Sequence, residues 1–96
     1  MEPSVRPPPA FAVRGPITPA DHPGLCERVC ALFAWAGPGP VLCDVAGVDP
    51  DAVTVDALAR LQLAARRHGC QVRLQRPSGE LLELVAFMGL TDVLPD

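Results

Sequence analysis

The residues best suited to chemistry in this sequence lie near the predicted starts of two helices. His22, Cys26 and Cys30 follow one another at intervals of four. On a helix this spacing aligns an imidazole and two thiols, which could bind zinc or act as a redox centre. The other interpretation is that the cysteines are small buried hydrophobic residues, because the sequence contains no Cys-x-x-Cys pair. We therefore predict no metal ion and no cofactor, and keep a zinc or redox protein as a third hypothesis.

Three carboxylates form the second group. Asp49, Asp51 and Asp56 cluster around the predicted start of the second helix. Such a cluster could supply a general acid and base, or could bind Mg²⁺. Acidic residues are also favoured at a helix N-terminus by the helix dipole alone, and this is the interpretation we adopt.

Nucleophilic catalysis by a cysteine would need a neighbouring histidine and a third residue to orient it. The candidate pairs are Cys26 with His22 and Cys70 with His68. The sequence suggests no third residue for either pair. No glycine lies in a GxGxxG or GxxxxGK[ST] phosphate-binding pattern. We therefore predict that the chain is not an enzyme.

Length and composition limit the remaining classes of protein. The 96 residues suffice for one domain, and 49% hydrophobic against 20% charged residues excludes a disordered chain. A net charge of −3 argues against a nucleic-acid-binding protein. No apolar run reaches the roughly 18 residues that span a bilayer, and the first ten residues lack the apolar segment of a signal peptide. We expect a cytoplasmic protein with reduced cysteines and no direct membrane insertion.

The periodicity of apolar residues predicts three strands that alternate with three helices. We predict a flexible Pro-rich tail over residues 1–10 and one domain over residues 11–96. The expected class is α/β, with a small mixed, mostly parallel β-sheet and three to four packed α-helices. The predicted strands cover residues 11–14, 41–45 and 70–74, and the helices residues 23–36, 55–68 and 79–88.

The sequence also predicts which side chains of these elements are buried or cap a helix. The apolar run at residues 41–45 is typical of a strand covered on both faces. Phe33, Trp35 and Met88 are expected to face the core, and Val93 and Leu94 to form a short final pairing. Ser78 is placed to cap the last helix.

The order and spacing of these segments resemble a STAS domain, the fold of anti-anti-sigma factors. The similarity covers residues 11–95, and four segments carry it: AFAVRGPITPADHPGLCERV, VLCDVAGV, VDALARLQLAARRHGCQVRL and PSGELLELVAFMGLTDVL. They stand where the family has its strand and glycine turn, its VxxDLSGV-like strand, its long helix ending in glycine and its PS…L…L..GL tail. The first strand of many members is missing here.

The resemblance implies a bacterial module without catalysis that regulates transcription through protein–protein interaction. In many members the partner, a kinase that is also an anti-sigma factor, phosphorylates a serine in a DSSG motif at the helix start. The phosphate adds about −1.5 to −2 charges, which can break a fitted interface. This chain reads DAVTV over residues 51–55 and has no DSSG. Counting from Asp44 places Thr54 at that serine, whereas counting back from Gly69 places Val53 there. Thr54 is therefore either a helix cap or a phosphorylation site.

The resemblance also gives a contact surface and two alternative functions. We expect the partner-binding residues in the loop and the first turns of the second helix: Pro50, Asp51, Val53, Thr54, Val55, Asp56 and Arg60. The leading hypothesis is an anti-sigma factor antagonist that binds a kinase-like anti-sigma factor, with or without the phosphorylation switch. The alternative is a STAS accessory subunit of a lipid-transport ABC system, whose partner is an ATPase.

Overall fold

The alternating elements form as the apolar periodicity predicts. The computed structural model describes residues 9–15 and 17–94. The described elements, in chain order, are β1 (Ala10–Arg14), α1 (His22–Ala36), β2 (Gly39–Gly47), α2 (Ala52–Arg67), β3 (Cys70–Gln75) and α3 (Gly79–Phe87). A short 3-10 helix over Pro19–Asp21 leads into α1. Of the predicted tail, residues 1–8 lie outside the described part of the chain, and Ala10 already belongs to β1.

The three strands form a sheet in the order β1-β2-β3. Both pairings are parallel, with Ala10 opposite Leu42 and Val41 opposite Val72. The sheet is therefore parallel throughout the described residues, rather than mixed. Near its end, β1 pairs irregularly with β2. The α/β class is confirmed, with three α-helices in the described residues.

The core lies on one face of this sheet. Val41, Cys43 and Val45 of β2 are buried, whereas Leu42 and Asp44 between them are only partly buried. The prediction that β2 is covered on both faces is wrong for the described residues. Strand order explains the difference: both crossovers step in the same direction across the sheet. Two right-handed crossovers of that kind place α1 and α2 on the same face.

The helices contribute narrow apolar stripes to this core. Phe33 of α1 is fully buried, and its ring meets the ring of Phe11 edge-on at 6.4 Å between centroids. Trp35 is 75% exposed, so the prediction that it packs in the core is wrong. Two residues correspond to roughly 200° of rotation on an α-helix, which turns Trp35 away from the face of Phe33. Met88 is also exposed, because it follows the last turn of α3.

The side chain of Gln62 connects α2 to the outer edge of β3. Its Oε1 accepts a hydrogen bond from the Val72 N–H at 2.8 Å, and its Nε2 donates to the Val72 carbonyl at 3.0 Å. The same Nε2 donates to the Val93 carbonyl at 2.8 Å. The predicted β pairing of Val93 and Leu94 is not formed. The buried side chain of Leu94 and this hydrogen bond hold the segment after α3 instead.

Candidate functional site

The loop between β2 and α2 lies at the carboxyl end of the parallel sheet. In α/β domains this end carries most ligand and partner sites. Asp49 and Pro50 are exposed, and Asp51 is partly exposed. Val48 is partly buried and packs against the core, which fixes the start of the loop.

Backbone contacts hold this loop in place. The Asp51 N–H donates to the Asp49 carbonyl at 2.9 Å, and the Gly15 N–H donates to the Gly47 carbonyl at 3.1 Å. Gly15 lies so close to the loop that an added Cβ would be 3.1 Å from the Asp49 nitrogen. The connection after β1 therefore supports the β2–α2 loop, and a glycine at position 15 permits the close approach.

Asp51 is the cap of α2, and the prediction that Thr54 caps this helix is wrong. The Asp51 side chain accepts a hydrogen bond from the Thr54 N–H at 2.8 Å, through Oδ1. The helix begins at Ala52, three residues earlier than the apolar spacing predicts. That earlier start places Thr54 in the first turn, where its amide is a donor to the cap.

Two of the seven predicted contact residues lie beneath the surface. Thr54 and Val55 are both 0% exposed, and the Thr54 hydroxyl has no hydrogen-bond partner. The prediction that these two side chains face a partner is therefore wrong for this folded conformation. A kinase could reach the Thr54 hydroxyl only if the first turn of α2 opened. Val53, the other position that could correspond to the family's serine, is more exposed but has no hydroxyl.

The other five residues form a continuous stretch of loop and helix, which we name the loop surface: Pro50, Asp51, Val53, Asp56 and Arg60. Arg60 Nε donates to Asp56 Oδ2 at 2.8 Å, as the i, i+4 spacing predicts. Both side chains are well exposed, so this ion pair adds little to folding stability and remains available to a partner.

A second group of charged side chains lies near the carboxyl ends of the three strands: Arg14 on β1, Asp44 on β2 and Arg76 directly after β3. Asp44 Oδ1 accepts from the Ala46 N–H at 3.0 Å, and Asp44 Oδ2 accepts from the Arg76 guanidinium. The hydrogen bond from Arg76 is the main reason that the pKa of Asp44 lies below its ordinary value. Arg14 and these residues line an open cavity of about 250 Å³. Neither Asp44 nor Arg76 was predicted as a site residue; a carboxylate near the end of a buried parallel strand is the signal that could have identified Asp44.

The residues considered for metal binding are not brought together. Within residues 9–15 and 17–94, no group of three or more His, Cys, Asp or Glu side chains could hold a metal ion. Of the three acidic residues considered for Mg²⁺, Asp51 caps α2 and Asp56 pairs with Arg60, so these two carboxylates already have partners within the protein. The three-ligand site at His22, Cys26 and Cys30 is not supported by this geometry.

Burial favours the protonated form of the Cys30, Cys43 and Cys70 thiols. Burial raises the pKa of Cys43 to about 12, and it also raises the pKa of Cys30 and Cys70. The Cys70 thiol donates to the Gly37 carbonyl at 3.1 Å, while the ring of His68 packs on Phe33. A protonated thiol is a poor nucleophile, so Cys70 and His68 do not form an activated pair.

No protein-family model matches this chain, and no curated protein is significantly similar to it. The resemblance to STAS domains therefore stays a prediction, based on the four sequence segments. No helix in the described part of the chain has the length and apolar character needed to cross a membrane.

Proposed function

We propose that this domain is a non-catalytic protein-binding module that contacts its partner through the loop surface. The observation that carries the proposal is the exposed, firmly supported β2–α2 loop at the carboxyl end of the sheet. Asp51 fixes its junction with α2, and Gly15 supports it from the preceding connection. A loop held in one conformation loses little entropy on binding, which favours recognition of a partner.

The composition of the loop surface suits a protein partner. Pro50 and the exposed part of Val53 supply apolar contact area, and Asp51, Asp56 and Arg60 add charges of both signs. Protein–protein interfaces typically combine apolar contact area with polar groups. Mixed charges would also fix the orientation of the partner.

The partner in this proposal is a kinase-like anti-sigma factor, so the domain acts as an anti-sigma factor antagonist in transcription regulation. This part rests on the resemblance to STAS domains. The buried Thr54 hydroxyl supports a version of that function in which binding does not depend on Thr54 phosphorylation. Four free cysteines fit a reducing compartment, so we propose a cytoplasmic location.

The test is co-purification of the tagged full chain from its native host, with bound proteins identified by mass spectrometry. We expect wild type to recover a kinase-like anti-sigma factor and the variant Arg60→Glu to lose it. Arg73→Glu is the matched control, because Arg73 is an exposed arginine on β3, away from the loop surface. Recovery of an ABC ATPase with its permease would instead support the transport alternative. Equal recovery by both variants would contradict the proposed contact surface.

A further inference from the structure

The two edges of the sheet differ in how their backbone groups are satisfied. On the β3 edge, Gln62 pairs with both the N–H and the carbonyl of Val72. On the β1 edge, no strand pairs with β1 from outside among the described residues. Among the residues that the structure describes, the sheet therefore has one edge covered by a side chain and one edge left unpaired.

The hydrogen bonds of β1 identify its outward groups. The Pro9 carbonyl accepts from the Leu42 N–H at 2.9 Å, and the Gly15 N–H donates to the Gly47 carbonyl at 3.1 Å. Both bonds join β2, and successive residues of a strand direct their backbone groups to alternate sides. The N–H and carbonyl groups of Ala10, Ala12 and Arg14 therefore point away from β2, where a further strand could bind them.

A groove runs beside this edge, between β1 and the first half of α1. Its volume is about 320 Å³. Val13, Ile17 and Leu25 are among its lining residues, but Val13 and Ile17 are buried, so most of the accessible lining is polar. An extended peptide paired with β1 could place alternate side chains in this groove, as in other complexes formed by strand addition.

The charges at the groove favour an acidic occupant. Arg14 and Arg28 both line it and are exposed, and neither has an ion-pair partner within 4.0 Å among residues 9–15 and 17–94. Asp21 also lines the groove and keeps its negative charge, since its hydrogen bonds from the Thr18 N–H and hydroxyl come from neutral groups. The described lining therefore carries one net positive charge. Pairing two copies of β1 about a twofold axis would bring the same arginines together, so charge disfavours a second copy.

We propose that the β1 edge binds an extended acidic segment of a partner protein as an additional strand. Backbone hydrogen bonds to Ala10, Ala12 and Arg14 supply the pairing. Arg14 and Arg28 select acidic side chains. This site is separate from the loop surface, and the proposal does not depend on the function assigned to that surface.

Amide hydrogen exchange on the full chain tests the pairing directly. The probe is a synthetic peptide of alternating valine and glutamate; its control has the same sequence with every backbone nitrogen methylated, so that neither edge can donate hydrogen bonds. We expect the Ala10, Ala12 and Arg14 amides to exchange rapidly in the free chain. The unmethylated peptide should slow them by more than about tenfold. Protection in the free chain, equal binding of the methylated peptide, or dimer formation without peptide would each overturn the proposal.

Charge variants test whether the groove selects acidic side chains. The same peptide is titrated with each variant, and binding is measured by fluorescence anisotropy. Arg28→Glu should weaken binding of the valine–glutamate peptide by about tenfold and improve binding of a valine–lysine peptide. Arg73→Glu, the same change on an exposed residue outside the groove, should leave both affinities unchanged. Arg60→Glu should also leave them unchanged, since Arg60 is not among the residues that line the groove. Equal effects of Arg28→Glu and Arg73→Glu would contradict the assigned groove.

Discussion

The side-chain amide of Gln62 and the backbone of Val72 form a pair of hydrogen bonds like those between two strands. Gln62 is fully buried in the middle of α2, and its Nε2 also binds the Val93 carbonyl. One polar side chain thus fixes α2 against β3, covers the edge of that strand and holds the segment that follows α3.

This arrangement predicts a large effect for Gln62→Leu. The substitution leaves the Val72 N–H and two carbonyls without partners, and a buried unsatisfied group costs about 1–3 kcal/mol. We expect urea denaturation to show the free energy of unfolding reduced by about 2–4 kcal/mol. Gln71→Leu, on the exposed face of β3, should change it by less than about 0.5 kcal/mol. Similar effects for the two variants would show that the Gln62 contacts contribute little.

Thr54→Val should stabilise the domain. The buried Thr54 hydroxyl has no partner, and valine has nearly the same shape without the polar group. We expect a gain of about 1 kcal/mol in the free energy of unfolding. The matched control is Thr18→Val, which removes a hydroxyl that donates to Asp21 and should destabilise the domain slightly.

The same Thr54 variant bears on the phosphorylation switch. If the partner binds without modification of Thr54, Thr54→Val should co-purify with the same partner as wild type. Failure of the partner to bind this variant, with the domain still folded, would show that the hydroxyl has a functional role.

Asp51→Ala should weaken both the start of α2 and the loop before it. Loss of the hydrogen bond from the Thr54 N–H is expected to cost about 1 kcal/mol in thermal or urea unfolding. Asp49→Ala removes a carboxylate two residues away that caps no helix, so it should cost less than about 0.5 kcal/mol. An equal cost for both variants would mean that general charge, rather than the cap, stabilises this helix start.

The buried thiol of Cys43 predicts a loss of stability at alkaline pH. Its pKa is about 12 in the folded chain, against an ordinary value of 9.0. As pH rises above about 9, the unfolded chain loses this proton while the folded chain keeps it, so ionisation favours unfolding. The stabilising contribution is complete below that pH and falls as pH rises towards 12.

Urea denaturation between pH 8 and 10.5 measures this effect. The decline should be smaller in Cys43→Ala, although that variant starts from a lower stability because of the cavity it creates. Cys26→Ala is the control, since Cys26 is only partly buried. An identical pH dependence in wild type and Cys43→Ala would contradict the prediction.

Local sequence patterns were sufficient to predict the elements of the fold. Ser78 caps α3 as predicted, with its Oγ accepting from the Leu81 N–H at 3.1 Å, because a cap depends on neighbouring residues. The single-sided core and the role of Gln62 depend on contacts between distant segments. Spacing along one helix could not identify Val72 and Val93 as partners of Gln62.

The exposure of the candidate loop was predicted correctly, but the details of its junction with α2 were not. An error of three residues in the predicted start of α2 assigned the capping role to Thr54 instead of Asp51 and placed the buried Thr54 on the surface. Thr54 follows the capping residue Asp51 by three positions, which places it in the first turn of α2, where its side chain is buried. The open β1 edge was not foreseen, since strand order becomes visible only in three dimensions.

Site-specific photo-crosslinking tests most sharply whether the loop surface contacts a kinase-like anti-sigma factor. A photoreactive benzoylphenylalanine replaces Pro50 on the loop surface in one variant and Gln71 on the exposed sheet face in another. Both full-length proteins are irradiated in cells of the native host, and adducts are identified by mass spectrometry. We expect an adduct with a kinase-like anti-sigma factor from position 50 and none from position 71. An adduct with that protein from position 71 alone, or no protein adduct from position 50, would contradict it.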